Sequence, residues 1–204
     1  MRQVPSDWYY QSLKIDSLQR FWHQRRFAVV SGLVEPVKGE VLDIGCADGT
    51  FSKIIFEKSK ADFLMGIDIS KSFVAWANRH WGKKMKFRVG DAQELKFPDQ
   101  SFSAVFVLEV LEHVQKPLQV LMQIKKVLKK GGYALLLVPT DSFLFRIIWW
   151  LWLKFYPRGW VWREAHIQTY RNNYLPILCR RAGFTIEENK KFLLGMLQVV
   201  KIRK

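Results

Sequence analysis

The chain is poor in cysteine, in acidic residues and in long apolar runs. Its two cysteines, Cys46 and Cys179, cannot build a disulfide framework or a four-ligand zinc site, which suits a reducing compartment, and no metal is expected. Acidic residues number 18 against 33 lysines and arginines, leaving a formal charge of +15 on 204 residues. The most apolar stretch, residues 143–153 (FLFRIIWWLWL), is interrupted by Arg146 and closed by Lys154, whereas a spanning helix needs about 20 mostly apolar residues. It is too short to cross a bilayer, yet long enough to lie in a membrane interface or to form a buried helix. The N-terminus, MRQVPSDWYYQSLKIDSLQR, has no apolar core followed by a small-residue cleavage site, so a cytoplasmic location is expected.

What is present is a full core and an unusual number of tryptophans. At 49% hydrophobic and 25% charged, the composition excludes a disordered tail, a collagen-like fibre and a low-complexity linker. No internal repeat is visible, and one domain over 1–204 is expected. Nine tryptophans together with the positive charge ask for a partner that is anionic, apolar or both.

Along the chain, residues 6–34 read as helical, with Leu18, Phe21, Trp22, Val29, Val30 and Leu33 at three- and four-residue spacings. After a Pro36/Gly39 turn, strands are expected at 41–45, 63–69, 86–90, 103–108 and 133–139. Helices alternate with them at 50–58, at 70–81 capped by Ser70, and at 114–129 with Gly131 and Gly132 as the stop. Such alternation implies a parallel sheet covered on both faces. The rhythm breaks over 140–166, then resumes with a helix at 169–182 and strands at 184–189 and 194–202. The last strand follows its neighbour without a helix, so it is expected to be antiparallel. The fold class is therefore α/β: a Rossmann-like sheet of seven strands, mostly parallel. Residues 1–38 form a helical cover, 39–139 the core, 140–166 an insertion, and 167–204 a closing helix and strand pair.

The sharpest motif is VLDIGCADGTF, residues 41–51. A strand carrying Asp43, then Gly45, Ala47 and Gly49 before a helix, brings backbone close to a ligand where side chains would collide. Asp68 ends the second strand, where a carboxylate can accept both hydroxyls of a ribose. Asp91 and Ala92 follow the third strand, where Asp91 can accept from an adenine amino group. Leu108 and Glu109 end the fourth. All sit at the carboxyl ends of strands, where open parallel sheets bind ligands. The spacing is G-x-A-x-G rather than the dinucleotide G-x-G-x-x-G, and Asp48 inside the turn would repel a pyrophosphate but not a cationic sulfonium.

With these motifs in order, the chain resembles the class I S-adenosylmethionine-dependent methyltransferases, in particular the small-molecule group that includes ubiquinone and menaquinone biosynthesis enzymes. The resemblance covers about residues 40 to 140 and extends to the C-terminal strands. It implies S-adenosylmethionine as cofactor and S-adenosylhomocysteine as product. Asp43, Gly45, Cys46, Ala47 and Gly49 would pack on the methionine part, Asp68 with Ile69 would hold the ribose, and Asp91 with Ala92 would read the adenine. Leu108 and Glu109 would stand beside the reacting centre. Ala47 departs from the family, which usually has glycine there.

Methyl transfer from a sulfonium needs positioning and exclusion of water, and a base only if the acceptor carries a proton of high pKa. His166, after the insertion, and His113, after the fourth strand, are the candidates, with His166 favoured and a merely bracing His113 the plainer alternative. An aromatic or arginine of the N-terminal helix, in FWHQRR (residues 21–26), could touch the methionine carboxylate. Three acceptor classes compete. Nucleic acid fits the charge, but Leu108-Glu109-Val110-Leu111 lacks the Asn/Asp-Pro-Pro-aromatic motif of base-amine methylation, and neither cysteine suits a cytosine C5 nucleophile, so it is disfavoured. A hydrophobic small molecule or lipid-linked acceptor, with peripheral membrane contact through 143–162, fits Trp149, Trp150, Trp152, Trp160 and Trp162 interleaved with Arg146, Lys154, Arg158 and Arg163. A binding module without activity is the third. An apolar lid and an apolar dimer contact carry the same signature, so the oligomeric state stays open.

Overall fold

A computed structural model describes residues 5–15, 17–140, 146–148, 150–151, 154, 167–171 and 173–204, with backbone alone at 15, 17 and 18. Among them, two helices, α1 (Trp8–Ile15) and α2 (Ser17–Leu33), precede the alternating core: β1 (Glu40–Ile44), α3 (Thr50–Ser59), β2 (Phe63–Asp68), α4 (Lys71–Trp81), β3 (Met85–Val89) and β4 (Phe102–Leu108). A 3-10 turn at Leu111–His113, α5 (Pro117–Val127), β5 (Leu128–Pro139), α6 (Tyr174–Arg181), β6 (Thr185–Phe192) and β7 (Leu197–Arg203) complete it. The strand order is β3-β2-β1-β4-β5-β7-β6. β7 pairs antiparallel with both β5 and β6, so it alone runs against the others. The Rossmann-like, seven-stranded fold expected from the sequence is the fold observed.

The central strands are buried on both faces, as parallel strands under two helix layers must be. Leu42, Ile44, Val105, Val107, Ala134, Leu136 and Val138 pack toward α5 and α6. The alternate residues Val41, Ala104, Phe106, Leu108, Tyr133, Leu135 and Leu137 pack with Val30, Ile55, Val74 and Ala77 of α2, α3 and α4. The cover is tied to the sheet beyond α2. Tyr133 Oη donates to Glu35 O at 2.9 Å, and Lys201 and Arg203 of β7 pair with Glu35.

Element ends differ from the pattern-based expectation in five places, one of them the last strand, which begins at Leu197 rather than 194. The N-terminal helix is two helices rather than one. α5 begins at Pro117, not residue 114, because proline disfavours helical backbone in the residue before it and is at home in the first turn. Lys-Lys-Gly-Gly at 129–132 is not a helix stop. Phe102 pairs with Leu128 and Ala104 with Tyr133, so the four residues form an outward irregularity inside β5. α6 starts at Tyr174 rather than 169, since Ile167 N and Gln168 N both donate to Glu112 O, at 2.8 and 3.0 Å, instead of entering a helix.

Among the described residues, the β6–β7 connection has the longest run of left-handed backbone. Leu193, Leu194 and Gly195 all have left-handed backbone, at φ 50°, 55° and 79°, which costs roughly 1–2 kcal/mol for each non-glycine residue. Thr140 holds this turn against the end of β5, its N donating to Met196 O at 2.9 Å and its Oγ1 to Gly195 O at 2.6 Å. At the opposite edge of the sheet, Asn78 of α4 caps β3. Its Nδ2 donates to Phe87 O at 2.8 Å and its Oδ1 accepts from Phe87 N at 3.1 Å.

Candidate functional site

The strand order reverses between β1 and β4, and the crevice at such a switch point is where an open parallel sheet binds ligands. Ile44 and Val107 are register partners there, so the glycine turn after β1 and the Leu108-Glu109 corner after β4 stand side by side. The turn is built by its own backbone. Gly45 N and Cys46 N donate to Ile67 O at 2.8 and 3.0 Å, and Gly49 N donates to Cys46 O at 2.9 Å. Ala47 N donates to Asp68 Oδ2 at 2.9 Å, and Ser70 N to Asp68 Oδ1 at 2.8 Å. Asp68 therefore joins the end of β2 to the turn and to the start of α4, with acceptor capacity left on both oxygens.

The glycines serve packing within the protein as much as room for a ligand. A Cβ on Gly45, at φ +74°, would lie 2.2 Å from Val110 Cγ2, and one on Gly49, at φ +75°, would meet Trp81 Cδ1 at 2.7 Å. Ala47 sits in the same left-handed region at φ 45°, and this strain explains why glycine is the expected residue there. Glu109, at φ 59°, is a second left-handed position at the mouth of the crevice.

Three buried or half-buried carboxylates surround the turn. Burial pushes Asp43 up to about 7, against the pull of the Ser52 hydroxyl, which donates to Asp43 Oδ2 at 2.5 Å. Burial also raises Asp48 and Asp68, opposed by the hydrogen bonds each accepts. Burial raises the Cys46 thiol well above its ordinary value, so Cys46 is a small apolar wall rather than a nucleophile. Asp43 retains its proton in the folded protein up to about pH 7 and loses it near 4 when unfolded. Folding thus takes up a proton between those values, and this group's contribution to stability declines as pH rises through that window. Asp43→Asn should accordingly gain on the wild type by about 1.4 kcal/mol per pH unit, as an upper slope, between roughly pH 4 and 7. Urea midpoints at pH 5 and pH 7.5 check this, and parallel pH profiles would refute it.

The cover reaches the crevice through α1 and α2. Tyr10 N donates to Asp48 Oδ2 at 2.9 Å, and the Tyr10 ring lies 5.3 Å from Trp76 and 6.4 Å from Trp81. Trp81 Nε1 donates to Asp48 O at 2.9 Å. Arg26, 3% exposed, pairs through Nη2 with Glu109 Oε2 at 2.6 Å, lies over the Phe51 ring and leaves its Nε without a partner. Its Nη1 stands 3.1 Å from His23 Nδ1. Burial, and then Arg26, depress the His23 imidazole to about 3. Since arginine can only donate, His23 Nδ1 is the acceptor and the hydrogen is on Nε2.

A family profile described as a methyltransferase domain matches residues 9–189. The chain belongs to that family. It is a class I S-adenosylmethionine-dependent methyltransferase. The ubiquinone/menaquinone biosynthesis C-methyltransferase of Desulfotalea psychrophila is 27% identical over 195 residues, 86% of this chain and 77% of that protein. An uncharacterized protein of Methanocaldococcus jannaschii is 32% identical over 108 residues, 52% of this chain and 48% of its own. A solved S-adenosylmethionine-dependent methyltransferase from Mesorhizobium loti shares the fold at TM-score 0.69 and 18% identity, over 87% of this chain and 96% of that one. Among the relatives matched first, the chain spans about half their length or less in several cases.

In this methyltransferase the expected cofactor residues gather along one edge of the sheet. Gly45, Cys46, Ala47, Gly49 and Asp68 are joined by the contacts above, Leu108 and Glu109 follow at the end of β4, and Asp43 is buried beneath the turn with its side chain on Ser52. Ile69, 75% exposed beside Asp68, offers an open apolar face. Asp91 is exposed, its Oδ1 accepting from Gln93 N at 2.8 Å, and Ala92 is buried behind it. His113 ends the 3-10 turn, partly exposed, its Nε2 4.0 Å from Glu112 Oε1. His166 and most of the tryptophan-rich insertion lie outside the described residues. Pattern reading missed the Asp48 anchor for α1 and the Arg26–Glu109 pair. The arginine-bearing helix was a candidate, but nothing local in the sequence joins it to the end of β4.

The donor set fits S-adenosylmethionine. Arg26 Nε is a buried donor without an acceptor, suited to the methionine carboxylate, and Asp48 and Asp68 suit a cationic ligand. Among the described residues no group of three or more His, Cys, Asp or Glu is placed to hold a metal ion, and no helix is long and apolar enough to cross a membrane.

Proposed function

We propose that the enzyme methylates a hydrophobic small molecule or a lipid-linked acceptor, working at a membrane surface from the cytoplasmic side. Asp68 would accept from the ribose hydroxyls, Ile69 and Ala92 would flank the adenine with Asp91 accepting from its amino group, and Arg26 would take the methionine carboxylate. The bound cofactor supplies an electrophilic methyl group on a good leaving group. The protein's own part is to orient that methyl group at the Leu108-Glu109 corner and to exclude water with the α1–α2 cover. His166, favoured from the sequence, or His113 beside the corner could take a proton from an acceptor hydroxyl or ring carbon.

The observation that carries the acceptor class is a set of exposed apolar residues after β5: Ile147, Ile148, Trp150 and Leu151, with Lys154 4.8 Å from the Trp150 ring. Beyond that segment in the sequence, Ile167 stands at the crevice, its N donating to Glu112 O. Similarity to a quinone-pathway C-methyltransferase supports the same class. The test is methyl transfer from labelled cofactor to quinone precursors, polyprenyl-linked sugars and RNA. Label is expected in the organic extract with an apolar acceptor, and label in RNA alone overturns the reading. Calorimetry should find S-adenosylhomocysteine binding, and no binding at millimolar ligand would remove catalysis altogether.

A further inference from the structure

The β6–β7 turn is strained, exposed and clamped, which is an unusual combination for a connection that any short polar loop could make. Leu194 is 83% exposed with left-handed backbone, and Leu193 beside it shares that conformation. An exposed leucine gains nothing from the core in return for that backbone, and strain of this kind persists where the surroundings over-determine it. Here Thr140 does so, through Gly195 O and Met196 O. Leu193 packs back against the core, and the clamp sets Leu194 at the carboxyl end of β5, the edge of the sheet from which the chain leaves for the exposed Ile147, Ile148, Trp150 and Leu151. Exposed Lys190 and Lys191 lie just before the turn on β6.

We propose that the β6–β7 turn is an insertion point for an anionic lipid bilayer, Leu194 entering the acyl boundary while Lys190 and Lys191 contact the headgroups. Charge selects the occupant. The chain carries +15, and cationic side chains at the base of a protruding apolar tip match an anionic surface better than an apolar protein groove. The turn thereby orients the crevice toward the bilayer, from which a lipid-linked acceptor would enter. The inference rests on the membrane-surface part of the proposed function.

The test uses the full chain and vesicles of phosphatidylcholine with or without about a third phosphatidylglycerol, at low and moderate salt. Wild type is expected to co-sediment with the anionic vesicles. Leu194→Gly should bind about tenfold more weakly, since it removes a side chain whose burial is worth at least that factor. Lys190→Ala and Lys191→Ala should each cost about fivefold on anionic vesicles. Because glycine accepts the left-handed conformation, Leu194→Gly should melt no lower than wild type, which separates lost insertion from lost folding. Anionic binding by wild type that Leu194→Gly leaves unchanged overturns the turn's role and spares the function proposed above. No vesicle binding by wild type overturns both the turn and the membrane surface, while methyl transfer to a water-soluble apolar acceptor would still stand. Serial substitution of Ile147 and Trp150 by serine should weaken binding independently, and binding equally strong on neutral vesicles would contradict the role of the lysines.

Discussion

Gly45→Ala should lower the melting temperature by about 5–15 °C and remove measurable S-adenosylhomocysteine binding. Two penalties fall on one atom. A left-handed backbone costs an alanine roughly 1–2 kcal/mol, and its Cβ would stand 2.2 Å from Val110 Cγ2, an overlap of the kind that costs about 1–3 kcal/mol. The sum is about 2–5 kcal/mol, and a chain of this size loses about 2–4 °C per kcal/mol. Relief is blocked on both sides: Gly45 N is held by Ile67 O, and Val110 adjoins Glu109, which is paired to Arg26. Val110→Ala in the same chain should restore part of the loss, because it removes the clash and leaves the backbone penalty. A melting temperature within about 2 °C of wild type for Gly45→Ala would show that the turn is free to move.

The second large effect is at Asp68. Asp68→Ala should weaken S-adenosylhomocysteine binding by about a hundredfold or more, since hydrogen bonds to a charged group are worth roughly 1.5–3 kcal/mol each and a ribose offers two hydroxyls. The substitution also strips Ala47 N and Ser70 N of their acceptor. A stability loss of about 1–3 kcal/mol is therefore expected beside the binding loss, and the two are separable. A 2′-deoxy analogue should lose affinity for wild type and lose little further for the variant. If the variant binds the product within about threefold of wild type, the ribose assignment is wrong.

The parts that were legible in the sequence are those written in short-range pattern. Alternating buried strands and amphipathic helices placed the seven-stranded sheet, because period and turn residues are local. The Gly45–Gly49 turn and Asp68 were legible because left-handed backbone restricts residue type and strand ends restrict position. Residues 129–132 show where such signals mislead. Two lysines and two glycines after a helix look like a charged last turn and a cap, yet Leu128 is fully buried and pairs with Phe102, so burial of one leucine outweighs the local preference. The cover shows a different limit. Arg26 meets Glu109, and Asp48 meets the Tyr10 backbone, across long stretches of chain, and nothing local in the sequence says which of these residues pair. Only the folded crevice gives them partners. The strained turn was hidden for a related reason: Leu194 reads as the start of an apolar strand, and the backbone hand of a turn is not written in a leucine.

The side-chain amide that Asn78 lays against Phe87 gives one outer rim of the sheet a built-in stopper. An unpaired rim offers its free donors and acceptors to any extended chain that passes, and neighbouring molecules can stack through it without limit. Here one rung of that rim is already filled from within, by a group on a helix that cannot be pulled away without disturbing α4. That rung is closed to a neighbouring molecule, and a partner arriving there in extended form must first displace the amide.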